Sequence, residues 1–110
     1  PEGMNRGPGN MQSMIRQAQK MQEDMAKLQE DLDAREYTAR SGGGAVTAVV
    51  DGKHLLKSLE IQPEVVDPED TEMLADLVMA AVNEAIRQAV ETSETEMSKV
   101  TGGMNLPGMF

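Results

Sequence analysis

The chain has 110 residues, two aromatic side chains, no cysteine and a formal net charge of −9. That length allows one domain at most, and so few bulky side chains leave it short of a core of its own. Without cysteine, disulfides, zinc–thiolate sites and thiol catalysis are excluded. In chain order, the opening PEGMNRGPGN is rich in Gly and Pro and reads as a flexible N-terminal segment, residues 1–10. A helix is predicted from about Met11 to about Arg35, because its interior lacks Gly and Pro and is dense in good helix formers. Within it Met11, Met14, Ala18, Met21, Met25, Leu28 and Leu32 recur at steps of three and four. This is a heptad seam occupying an arc of about 100° on one side of the helix.

From Glu36 the period changes to two. EYTAR, AVTAVVD and LLKSLEI read as three short strands, joined by Gly42-Gly43-Gly44 and by Asp51-Gly52. The second connector predicts a type I′ hairpin, in which Asp-Gly supplies positive φ. Tyr37 and Ala39, then Val46, Ala48 and Val50, then Leu55, Leu59 and Ile61, are expected on one face of an antiparallel meander.

A second helix opens at VVDPEDTEML, with Asp67 expected to cap it, Pro68 in its first position and Asp70 as the capping-box carboxylate. Residues 73–82, MLADLVMAAV, are apolar almost all round, so Leu74, Leu77, Val78 and Val82 are expected to be fully buried. Beyond Asn83 the pattern is amphipathic to about Thr101. Gly102-Gly103 then stops the helix and leaves a tail, residues 102–110, with apolar Leu106, Pro107, Met109 and Phe110. Three short strands cannot cover either helix along its length, so part of each projects or lies against another chain. The fold class expected is α+β, with residues 11–101 a single dimerising domain.

The methionine stripe has two chemical readings. Paired thioethers on one helical face could bind Cu(I), but the stripe continues through Ala18, Leu28 and Leu32, which ligate nothing. Packing is the better reading, and no metal is expected. The basic residues are the other candidates. Residues 1–57 hold eight basic and eight acidic groups, whereas residues 58–110 hold two and eleven, so only the first half is suited to meet a polyanion. Arg16, Lys20 and Lys27 lie within about 40° of each other, opposite the seam. They fit either a solvated face with ion pairs such as Glu23–Lys27 or a row of phosphate contacts. Arg6 precedes them, and Arg40, Lys53 and Lys57 form a looser group around the hairpin beside His54, which is expected to face solvent. No catalytic constellation, cofactor motif or small-molecule pocket is legible. The lack of any run of eighteen apolar residues points to a soluble cytoplasmic protein without membrane association.

The strings MIRQAQKMQEDMAKLQEDL, VVDGKHLLKSLEI and DPEDTEMLADLVMAAVNEAIRQA, with the Gly-Met-x-Leu-Pro-Gly ending, resemble the YbaB/EbfC family of bacterial nucleoid-associated proteins. The resemblance spans about Met11 to Phe110. It implies an intertwined, tweezers-like homodimer with a central β region and projecting helices, which binds double-stranded DNA at the nucleoid without enzymatic activity or cofactor. The DNA-contact candidates still rest on the charge pattern: Arg6, Arg16, Lys20, Lys27, Arg40, Lys53 and Lys57. The rival reading is a protein-interaction module that docks a partner helix on the Met-rich seam.

Overall fold

The computed structural model describes the backbone of residues 2–100 and the side chains of residues 11–100. The expected segment 1–10, the tail 102–110 and the candidate Arg6 therefore lie wholly or partly outside the described residues. Two helices flank a three-stranded antiparallel sheet of order β1-β2-β3. Helix α1 spans Glu2–Ala34, the strands are β1 (Glu36–Ser41), β2 (Val46–Asp51) and β3 (Leu56–Ile61), and helix α2 spans Thr71–Val100. The α+β class and the meander agree with the sequence reading. Helix α1 starts earlier than the apolar repeat, which begins only at Met11.

Helix α2 lies across one face of β1 and β2, and the residues between them are small. Ala81, Ala85 and Ala89, one turn apart on α2, meet Ala39, Val46, Ala48 and Val50 of the sheet. Alanine on both surfaces lets the helix sit close, and the cost is a thin core. The largest fully enclosed side chains are Leu32, Val46 and Val50, and each such aliphatic contributes only about 1.5–3 kcal/mol. Leu74, Leu77, Val78 and Val82 pack against the same core but remain half-buried. The expectation of full burial for residues 73–82 therefore fails in the single chain: the sheet covers one side of α2 and leaves Met73 and Met79 exposed.

The turn chemistry departs from expectation in two places. The β2–β3 connection is not a two-residue type I′ turn. The Asp51 carboxylate accepts the backbone N–H of Lys53 at 2.9 Å and of Leu55 at 3.0 Å. Positive φ falls on His54, at 70°. Gly52 serves a different need, because its N–H donates to the Asp33 carbonyl at 3.2 Å and brings the hairpin against the end of α1. A register shift at Val49/Val50 then pairs Val50 with Leu56 and Val49 with Ser58, leaving Lys57 as the extra residue. Leu56 thus takes the position facing with Val50 that the alternation assigns to Leu55, and Leu55 lies outside the strand. At the start of α2, the cap is Asp70, whose carboxylate accepts the Met73 N–H at 3.2 Å. Asp67 instead accepts from Glu69 at 2.9 Å and shapes the turn before the helix.

Opposite the hairpin, Ser41 donates its hydroxyl to the Leu77 carbonyl at 2.6 Å and fastens the end of β1 to α2. The last turn of α1 is held by buried Leu32 and by Arg35, which reaches Asp31 at 2.8 Å and Glu96 of α2 at 3.8 Å. The rest of α1 extends away, giving principal extents of 84 × 27 × 16 Å.

Candidate nucleic-acid interface

Residues 11–20 of α1 are exposed at every position, so this stretch stands clear of the sheet. Arg16, Lys20 and Lys27 share its face opposite the methionine stripe. Among the described residues Arg16 and Lys27 make no ion pair, and the expected Glu23–Lys27 pair does not form. Lys20 approaches Asp24 at 3.7 Å, with both groups well exposed. Such a pair is weak and readily exchanged for another anion. Charge also varies along the helix. Residues 11–22 carry Arg16 and Lys20 and no carboxylate, whereas residues 23–34 set Lys27 against Glu23, Asp24, Glu30, Asp31 and Asp33.

The second basic group does not hold together. Arg40 pairs across the sheet with Thr47, near the glycine connector, while Glu36 pairs with Asp51 at the hairpin end. Arg40 is thus separated from Lys53 and Lys57 by most of a strand. Lys53 and Lys57 line a cleft with Glu30, Asp33 and Asp51, and Lys57 lies 4.0 Å from the Asp51 carboxylate. Backbone donation from Leu55, then from Lys53, holds the Asp51 carboxyl below the usual carboxylate range, with the two lysine charges assisting. These lysines face acids supplied by α1, a neighbourhood that local sequence does not display.

The remaining cations are committed. The Arg87 guanidinium forks onto Glu84 at 2.7 and 2.9 Å and onto Glu91 at 3.0 Å. Hydrogen bonding to Glu84 raises the arginine's pKa, and the same bond lowers that of Glu84. Lys99 lies 2.9 Å from Glu96, whose pKa is lowered first by that hydrogen bond. Arg35, its pKa raised chiefly by the hydrogen bond it donates to Asp31, is tied between the two helices. Among the described residues, the helical cations without an ion pair are therefore Arg16 and Lys27 of α1, and Lys20 has only its exposed contact with Asp24.

The seam residues divide along α1. Leu32 is buried and Leu28 and Met25 are half-buried, whereas Met11 and Met14 are 63% and 66% exposed. Among the described residues no cluster of His, Cys, Asp or Glu could hold a metal ion, and no helix is long and apolar enough to cross a membrane.

Comparison with known proteins identifies the arrangement. Residues 7–104 match the YbaB/EbfC DNA-binding family. A nucleoid-associated protein of Alkaliphilus metalliredigens is 59% identical over 98% of this chain and 94% of its own length. One from Clostridium kluyveri is 51% identical over 94% and 91%. The fold is similar to a crystal structure of an uncharacterized protein from Helicobacter pylori, with TM-score 0.63 and 24% identity over 74% of this chain and 86% of that one. The chain belongs to the YbaB/EbfC DNA-binding family.

Proposed function

We propose that the protein binds double-stranded DNA as a homodimer, with α1 as the arm that meets the phosphates. The observation that carries this reading is the exposed row Arg16, Lys20 and Lys27 on the projecting helix, while the cations of α2 are neutralised by neighbouring carboxylates. The chain has no helix-turn-helix signature and no aromatic stacking platform, so contacts are mainly to the backbone and sequence preference is weak. The relatives' description as nucleoid-associated proteins supports a place at the nucleoid, in the cytoplasm.

Dimerisation is supported by what one chain leaves uncovered. Leu56 is 47% and Met79 53% exposed, and Ile61, Val66 and Met73 add to the apolar surface. That is more than scattered surface apolar residues explain when the enclosed core is so thin. The domain so formed comprises residues 11–101, with residues 102–110 as a tail.

Titration with unrelated duplexes across a salt series tests the reading. The logarithmic salt slope should correspond to a few phosphates per dimer, each contributing about 0.9. Unrelated duplexes should bind within about tenfold of each other. Absence of binding even in low salt would leave the interaction-module reading of the methionine stripe.

A further inference from the structure

The basic face of α1 changes character along its length. At about 100° per residue, Gln12, Ser13 and Gln19 lie within about 60° of Arg16, on the face that also carries Lys20. All five are exposed, so the two outer cations stand among uncharged hydrogen-bond donors. Lys20 has Asp24 at 3.7 Å on its flank, an exposed contact that a phosphate can replace. Further in, Glu23 and Glu30 lie within about 60° of Lys27, one turn before it and one turn after it. Both are exposed, and among the described residues neither makes an ion pair. A phosphate drawn to Lys27 therefore meets two like charges for one opposite charge. We infer that these carboxylates withhold Lys27 from DNA, so that Glu23 ends the contact on α1 and limits its affinity.

The inference rests on α1 being the arm that meets phosphates, and it divides the row of three cations into two that bind and one that does not. Distance separates the two groups. Arg16 and Lys20 are about 6 Å apart along the helix axis, whereas Lys27 lies about 10 Å beyond Lys20. That gap is about one Debye length at ordinary salt, so the outer pair does little to offset the acids beside Lys27. Glu23 is the decisive acid because it stands between Lys20 and Lys27, within about 6 Å of each along the axis. Glu30 also faces the cleft that holds Lys53 and Lys57, which divides its influence. At the outer end, Gln12, Ser13 and Gln19 are placed to donate to phosphate oxygens. Such neutral donors release no counterion, so they add affinity without adding to the salt slope.

Anisotropy titrations of the full chain against one fluorescent duplex, between about 50 and about 200 mM salt, provide the test. Every substitution is at an exposed position and exchanges residues of similar helix propensity, so the fold is kept. Glu23→Gln should tighten binding about three- to tenfold at the lowest salt. It should also steepen the logarithmic salt slope by about 0.9 for each Lys27 released. Lys27→Gln should change affinity by less than about twofold in the parent, yet remove most of the gain when added to Glu23→Gln. Glu72→Gln makes the same charge change in the first turn of α2. It lies about 42 Å of helix from Val100, the residue beside Lys20 and Asp24, and should leave affinity unchanged. Equal gains from Glu23→Gln and Glu72→Gln would overturn the inference, because net charge alone would then explain both. So would a loss from Lys27→Gln in the parent as large as that from Lys20→Gln. If Arg16→Gln with Lys20→Gln leaves binding intact, α1 is not the arm and the inference falls with that reading. If that pair abolishes binding while Glu23→Gln changes nothing, the arm stands and only the withheld lysine is refuted.

Discussion

Gly52→Ala is the most exacting single test of how the arm is held. A Cβ at that position would lie 1.8 Å from the Leu32 carbonyl oxygen, 2.6 Å from its carbon and 2.8 Å from Asp33 Cα. All three are backbone atoms, so no side-chain rotation relieves the overlap. Either the hairpin or the last turn of α1 must retreat, and the 3.2 Å bond from Gly52 N–H to the Asp33 carbonyl is lost with it. The lost hydrogen bond costs about 1 kcal/mol and the forced displacement about 1–3 kcal/mol. Reduced freedom of the unfolded chain returns about 0.4–1 kcal/mol. The net destabilisation is about 1–3.5 kcal/mol, which lowers Tm by on the order of 5–25 °C for a domain of this size. Circular dichroism melts at one fixed chain concentration measure it, since any self-association would make Tm depend on concentration. Gly43→Ala is the control, having positive φ of 67° but no atom within 4 Å of the added Cβ. It should lose only the left-handed strain, roughly 1–2 kcal/mol. A Gly52→Ala protein that melts within about 2 °C of the parent, or no lower than Gly43→Ala, would refute the close approach.

Arg16→Glu with Lys20→Glu should abolish DNA binding, read by fluorescence anisotropy, while sedimentation shows the parent's association state unchanged. Lys99→Glu should alter binding little, because Lys99 is already engaged by Glu96. Ala85→Leu, at a position with no exposed surface, should destabilise by about 1–3 kcal/mol in urea unfolding, as expected where helix and sheet leave no room for added methylenes. The Asp51 carboxyl is held below the usual range in the fold, chiefly by the Leu55 N–H. It therefore contributes stability above the unfolded carboxylate pKa of about 3.9 and loses it as pH falls through the lower native value. Asp51→Asn should accordingly flatten the fall in urea midpoint between about pH 6 and about pH 3.

The strands were legible because their signal is local: a change of period at Glu36, bounded by glycine and by Asp-Gly. What lay outside the sequence reading was each element's distant neighbour. Asp51-Gly52 carries the composition of a type I′ turn, yet Gly52 is needed because the Leu32 carbonyl stands where a Cβ would be. The positive φ passes to His54, a residue type that tolerates it better than most. DPED offered two acids as caps, and both accept backbone N–H groups. Only the fold shows that the turn takes Asp67 and the helix takes Asp70. The apolar run 73–82 reports that burial is wanted, not which chain supplies it. Similarly, Lys53 and Lys57 read as free cations until α1 brings Glu30 and Asp33 beside them.

The same distinction between local and distant groups bears on how a chain of net charge −9 can approach a polyanion. Exposed charges interact over a Debye length of about 8–10 Å at ordinary salt, whereas the molecule extends 84 Å. A phosphate at the outer part of α1 therefore responds mainly to residues 11–22, which carry Arg16 and Lys20 and no carboxylate. Of the acids in residues 23–34, Glu23 and Asp24 lie within that range of Lys20, whereas Glu30, Asp31 and Asp33 lie a further turn or more along α1. Arg35, Arg87 and Lys99 already partner several of the acids of α1 and α2. Distance and pairing, more than total charge, decide the encounter. On the proposed reading, the orientation of α1 is then a functional quantity. The arm projects rigidly only while Leu32 stays buried, Arg35 bridges to Glu96, and Gly52 holds the helix end to the hairpin. In a dimer those same anchors would fix the relative aim of both arms. A variant loosened at Gly52 but still folded should therefore lose DNA affinity although every basic side chain remains. Affinity equal to the parent's in that variant would mean that each arm binds independently of how it is held.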